Sequence, residues 1–256
     1  MKLVIAEKPS VAQSLAKVIG TNKRQDGYLE GGDYLVSWCV DHLVELSAPE
    51  HYDERFDKWR LQDLPILPEK WLYEVSPGTK KQYQILKKLM ERSDVESLVC
   101  ATDAGREGDL IFRLVYYQCR CKKPFERLWI SSMEDAAIRE GFAKLKPGTE
   151  YDTLYEAALC RERADWIAGM NATRLFSCLY GFTLNVGRVM TPTLSMVVMR
   201  DAGITTFQPK PFYTVELRSD DMSALSRQFD ANRILGFTAR QTLDYTQALY
   251  EKKLVT

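Results

Sequence analysis

The sequence predicts an α/β protein, a parallel sheet flanked by helices, followed by a mostly helical region. Three observations predict it. Short apolar runs of buried-strand type occur at Leu3–Ala6, Leu98–Ala101 and Leu128–Ile130. Helical patterns alternate with them, and strands that alternate with helices form parallel sheets covered on both faces. After Lys146-Pro147-Gly148 the pattern changes to long helices.

The elements follow in chain order. Leu3–Ala6 is the first strand. Pro9 and Ser10 interrupt it, and Val11 to Ile19 reads as a helix ended by Gly20. Residues 28–40 carry strand-like runs around Gly31-Gly32. Pro49, Pro65, Pro68 and Pro77, with several tryptophans and tyrosines, mark residues 47–76 as a loop-rich insertion. Lys80 to Arg92 is an amphipathic helix with Tyr83, Leu86, Leu89 and Met90 on one side. Leu98–Ala101, a loop at Asp103–Gly105 and a helix from Arg106 to Tyr117 come next. Leu128–Ile130 is the third strand, and Ser132 with Asp135 suggests a capping box for a helix reaching Lys144. That completes one domain, residues 1–148.

The second region, residues 149–212, opens with a helix over residues 151–179. Thr191-Pro192 starts another, cap then first turn, running to Ala202. The remainder, residues 213–256, is an incomplete set: a strand at Tyr213–Leu217 and a helix at Ala239–Lys253 capped by Thr238.

Composition sets bounds on function. A chain of 256 residues with 45% hydrophobic residues can build a substantial core. Lys plus Arg is 35 and Asp plus Glu is 35. A net charge of zero argues against coating nucleic acid by bulk attraction and leaves room for a local basic groove. Glu7 ends the first apolar run too early for a signal peptide. The nearest approach to a membrane span, residues 186–199, contains Arg188. A cytoplasmic protein without a membrane partner is expected. Of six cysteines only Cys119 and Cys121 are close, and C-x-C without a second pair is a poor zinc signature, so no zinc is expected.

Two constellations carry chemistry. The first is acidic: Glu7 just past one strand, and Asp103-Ala104-Gly105-Arg106-Glu107-Gly108-Asp109 just past another. Parallel strands share one carboxyl edge, where ligands bind, so Glu7, Asp103 and Glu107 can converge. Converging carboxylates call for a cation, and oxygen-only donors favour Mg²⁺. Gly105 and Gly108 allow close approach of backbone to a phosphodiester, and Lys8 and Arg106 offer positive charge. The plainer reading makes Asp103 and Glu107 a helix start whose acids suit the dipole.

The second constellation is in the long helix. Arg163 and Arg174 stand eleven residues apart, about three turns, and share a face, with Asp165, Trp166, Gly169 and Asn171 between them. Arg161 and Asp165 form an i,i+4 pair whose plain reading is a surface salt bridge. Gly187 and Arg188, just before a capped helix, suit an anion.

Glu7-Lys8-Pro9-Ser10 with Asp103 to Asp109 resembles the two halves of a Toprim domain, the metal-binding unit of type IA topoisomerases, primases, gyrase-type enzymes and some nucleases. The Arg163, Asp165, Gly169, Asn171, Arg174 series and Gly187-Arg188-Val189 resemble the segment that follows Toprim in type IA DNA topoisomerases, most closely topoisomerase III. The resemblance implies a single-stranded-DNA groove made by Arg163, Asn171, Arg174 and Arg188. It implies Glu7 as general acid or base, Lys8 as stabiliser of phosphate charge, and Glu7, Asp103 and Glu107 as Mg²⁺ ligands. There are departures. Gly105 stands where the family commonly has a second acid, Met190 where it has Gln, and Asp41 where Gly precedes the His corresponding to His42. His42 reads more readily as a packed residue than as a catalyst. Between Leu217 and Gln228 only about a dozen residues stand where the family carries a longer arch, and the chain holds no Tyr-Pro-Arg-Thr, the tetrapeptide of the family's nucleophile. The expectation is a topoisomerase III-like chain that binds DNA and Mg²⁺ but lacks the tyrosine. The alternatives are a Toprim-type nuclease or primase-like enzyme, and a non-catalytic DNA-binding remnant.

Overall fold

The computed structural model describes residues 1–40, 42–209, 216–219, 222–225 and 236–251. Asp41, the start of the strand expected at Tyr213, the segment from Gln228 to Leu235 and residues 252–256 lie outside the described residues.

The chain divides into two compact units, residues 1–195 and 196–256. The first is built on a seven-stranded sheet. In chain order its elements are β1 (Lys2–Ala6), α1 (Pro9–Val18), β2 (Lys23–Gln25), β3 (Tyr28–Gly31), β4 (Tyr34–Trp38), β5 (Val44–Leu46) and β6 (Tyr73–Val75). Next come α2 (Lys80–Glu91), β7 (Ser97–Ala101), α3 (Arg106–Gln118), β8 (Phe125–Arg127), α4 (Asp135–Ala143) and β9 (Lys146–Pro147). The helix α5 (Asp152–Tyr180) follows, and the boundary between the units falls within α6 (Met190–Thr205). The second unit contains the antiparallel pair β10 (Glu216–Ser219) and β11 (Met222–Leu225), and α7 (Ala239–Glu251). Thr238 caps α7 reciprocally with Gln241: the Gln241 N–H donates to Thr238 Oγ1, and the Thr238 N–H to Gln241 Oε1.

The sheet order is β2-β3-β4-β1-β7-β8-β9. β1 pairs in parallel with β4 and β7, and β7 in parallel with β8. The expected parallel sheet is therefore its centre only. β2–β3, β3–β4 and β8–β9 run antiparallel, which makes the sheet mixed. The reason is the connections. Gly27 at φ +79 and Gly32 at φ +57 supply left-handed turns, and a turn that short can only return antiparallel.

Side chains alternate across β1. Leu3 and Ile5 join Leu86, Leu98 and Phe112 in a core beneath α2 and α3, while Val4 and Ala6 join Leu15, Val99 and Ile138 beneath α1 and α4. Both faces are thus covered. α3 and α5 pack together, and Ala158 of α5 enters the α3 core, so the helix beyond residue 148 belongs to the same compact unit as the sheet.

Three local expectations need correction. The third strand lies at Phe125–Arg127, three residues before Leu128–Ile130, because the strand ends on a fully buried arginine that breaks the apolar pattern. Ser132 makes no capping box: its hydroxyl accepts the Glu134 N–H at 3.2 Å, two residues on, and α4 starts without a side-chain cap. Thr191 is not a cap but lies inside α6, and its hydroxyl accepts the Gly187 N–H at 3.0 Å.

Candidate functional site

The ladders of β1 and β7 end in register at Ala6 and Ala101, so Glu7 and Thr102 leave the sheet side by side. Glu7 is buried, and its Oε2 accepts the Asp103 N–H at 3.2 Å, which ties the two strand ends together. Lys8 is exposed and extended at the N-cap of α1, with Pro9 fixing the first turn behind it. Asp103 is exposed, and so is Glu107 in the first turn of α3.

The acidic loop is held from below chiefly by Arg127, a residue outside both constellations. Arg127 has no solvent-exposed side-chain surface. Its Nη1 donates to the carbonyls of Cys100 at 3.1 Å, Thr102 at 2.7 Å and Leu128 at 3.2 Å, and its Nη2 to that of Asp103 at 2.5 Å. Asp109 is also fully buried, with a carboxylate oxygen 2.8 Å from Arg113 Nε and the other 3.7 Å from Arg127 Nε. The Thr102 hydroxyl donates to the Gly108 carbonyl at 2.7 Å. Gly108 faces Asp103 so closely that a Cβ there would collide with the Asp103 carbonyl and amide. Its lack of a side chain thus serves the loop's own backbone, whereas Gly105 faces open space. Asp109 and Arg113 form an i,i+4 pair that the sequence does carry, but Arg127 lies eighteen residues beyond Asp109 and no spacing announces it.

The three acids do not converge as expected. Glu7 and Asp103 meet, but the Glu107 carboxylate turns away to His42 Nε2 at 3.2 Å. Like charges separate when one of them has a cationic or hydrogen-bonding partner elsewhere. No group of three His, Cys, Asp or Glu side chains among the described residues is close enough to hold a metal. The donor chemistry still suits a hard cation: all three are carboxylates, on one sheet edge, and Asp103 and Glu107 are free of the core.

Glu107 and His42 open a cleft of about 190 Å³ lined also by Arg161, Glu162, Asp165 and Arg188. Arg188 Nε donates to both Asp165 oxygens, at 2.8 and 2.9 Å, which turns the guanidinium toward this cleft. Burial pushes the Glu162 carboxyl above the usual range, against the pull of the Tyr73 hydroxyl that donates to it at 3.2 Å and of His42. Burial likewise pushes the Tyr73 hydroxyl up and keeps it a donor.

Arg163, Asn171 and Arg174 do share a face of α5, but that face is turned onto the 47–76 insertion. Arg163 lies over the Trp71 ring at 5.3 Å. The Asn171 side chain accepts the Ile66 N–H at 2.6 Å and donates to the Ile66 carbonyl at 3.0 Å. Arg174, 3% exposed, donates to the Phe56 carbonyl at 2.6 Å, lies 3.5 Å from Glu50 and stacks on Trp59. Trp166 Nε1 donates to the Ser47 carbonyl at 3.2 Å. Periodicity identified the face, but not what covers it. Arg188 is half exposed.

Residues 2–133 match the Toprim domain family, and residues 149–228 match the DNA topoisomerase family. DNA topoisomerase 3 of Bacillus subtilis is 40% identical over an alignment covering 99% of this chain and 42% of that protein. DNA topoisomerase 3 of Shouchella clausii is 45% identical, covering 86% of this chain and 30% of its own length. The chain thus spans less than half the length of the curated relatives it matches. Full-length topoisomerase I from Thermotoga maritima shares the fold, with a TM-score of 0.56 at 19% identity over 97% of this chain and 46% of that one. Toprim domains are generally associated with divalent metals. No helix among the described residues is long and apolar enough to cross a membrane. The two family matches flank the Lys146-Pro147-Gly148 junction, and together they show that the chain belongs to the Toprim domain family, in its type IA, topoisomerase III-like branch.

Proposed function

We propose that this chain is the metal- and DNA-handling part of an enzyme that cuts one DNA strand, passes another through the gap and reseals it. The observation that carries the reading is the junction of Glu7 and Asp103 at neighbouring parallel strand ends, with Lys8 beside it. Glu7 is the general acid that protonates the departing 3′-oxygen and takes the proton back on resealing. Lys8 stabilises charge on the phosphate. Asp103, Glu107 and Glu7 would hold Mg²⁺, which offsets phosphate charge when bound, and Glu107 reaches it by leaving His42. Arg188 is the direct phosphate contact. Arg163, Asn171 and Arg174 act on the DNA through the insertion they hold in place. The nucleophile is the family's tyrosine, and a protein of these 256 residues alone is expected to bind DNA without forming a covalent link. A cytoplasmic location and a preference for single-stranded DNA belong to this proposal.

The test is a Mg²⁺ titration followed by thermal unfolding, beside single-strand and duplex binding. Asp103→Asn and Glu107→Gln are expected to reduce the metal-dependent shift, and Arg188→Ala to weaken single-strand binding by ~1–3 kcal/mol. A metal shift unchanged by both substitutions refutes the metal site. Equal affinity for single strand and duplex, together with an inert Arg188→Ala, refutes the DNA assignment.

A further inference from the structure

The sheet edge opposite the acids carries a second charged feature. α3 ends at Cys119, and the chain reverses through Arg120 at φ +53, the only described non-glycine residue in the left-handed region. The Arg120 N–H donates to the Tyr117 carbonyl at 2.9 Å and the Cys121 N–H to that of Tyr116 at 3.1 Å. This is a Schellman ending, whose left-handed position is normally glycine because a Cβ is strained there. An arginine is held in that strained position. Its side chain opens onto a cavity of about 430 Å³ shared with Lys87, Glu91, Lys122 and Lys123.

Four cations therefore meet one acid. Lys123 donates to the Arg92 carbonyl at 2.5 Å. The side chains of Arg120 and Lys122 donate to no protein acceptor among the described residues. One cation would suffice to complement the helix C-terminus, and the others are surplus to it. The lining contains no aromatic ring, so it offers phosphate contacts without a platform for unstacked bases. Lys122 and Lys123 precede β8 and Glu91 precedes β7, which sets the cavity at the amino edge of the strands. A strand of five residues puts that edge ~16 Å from Glu7 and Asp103. A strand lying at the acids does not fill it.

From the geometry we infer that this cavity is a docking site for the backbone of duplex DNA, separate from the cleavage edge. The inference rests on the DNA-handling reading above and adds a second contact to it. Phosphate contacts of this kind are indifferent to sequence and fall steeply with salt.

The test uses the full chain and a short labelled duplex, with affinity measured across a salt series. Arg120→Gly with Lys122→Ala removes two cations, and the glycine suits the left-handed turn, so the melting temperature is expected to stay level or rise. The slope of log affinity against log salt is expected to become shallower by about two, with single-strand binding retaining its response to Arg188→Ala. An unchanged slope, or no duplex binding by the parent chain, overturns the inference. Duplex binding that responds to Arg120 and Lys122 while single-strand binding ignores Arg188 supports this site and refutes the groove assignment instead.

Discussion

Replacing Arg127 by methionine keeps most of the side-chain volume and removes only the guanidinium. Four carbonyls, those of Cys100, Thr102, Asp103 and Leu128, lose a charged donor, and Asp109 keeps only Arg113. The Cys100 carbonyl retains the Leu128 N–H at 2.9 Å, so its loss is partial. Because the guanidinium is fully buried, solvent screening does not discount the effect. Removing one partner from a buried ionic cluster costs ~3–5 kcal/mol, against a domain stability of ~5–15 kcal/mol. The expected loss is about 4 kcal/mol, or ~8–16 °C in melting temperature for a unit of this size. Urea unfolding followed by circular dichroism measures it, with the slope against urea expected to stay constant. The loss should be sub-additive with Asp109→Asn, since both break the same cluster. A loss below ~1 kcal/mol, or full additivity, would refute the claim that Arg127 anchors the acidic loop.

Arg174→Ala removes a guanidinium that is almost wholly buried, and is expected to cost ~3 kcal/mol and to expose residues 50–72 to protease. Weaker DNA binding with unchanged stability and digestion would contradict this. Glu162 titrates above the ordinary carboxylate range because of burial, so its charged form is penalised in the fold. That penalty is absent below the unfolded carboxylate value and grows as pH rises through the raised folded value. Glu162→Gln should therefore leave stability unchanged near pH 4 and raise it near pH 7, as read from denaturation at both pH values. Burial pushes the Cys39 and Cys100 thiols up, and that of Cys119 to about 11, while Cys160 is exposed. Maleimide labelling at pH 8 should modify Cys160 first and reach the other three only on unfolding.

By itself the sequence determined whatever depends on neighbours along the chain. The continuous apolar run of β1, the apolar face of α2 and the long run of α5 are local regularities of strand and helix. They placed Glu7 and Asp103 after strands, and parallel topology brought those strand ends to one edge. Tertiary structure decided what each polar side chain touches. Glu107 and His42 are far apart in sequence, so nothing in their spacing foretold that Glu107 would turn from the other acids. Arg163, Asn171 and Arg174 lay on the face that periodicity assigned, yet the insertion folded back over it and took their hydrogen bonds. Arg127, just outside the strand expected at Leu128–Ile130, is the buried donor that holds the acidic loop. The physical reason is the same in each case. Helix and strand periods are set by backbone geometry over a few residues, whereas a buried charge finds its partner wherever the packed chain brings one within reach.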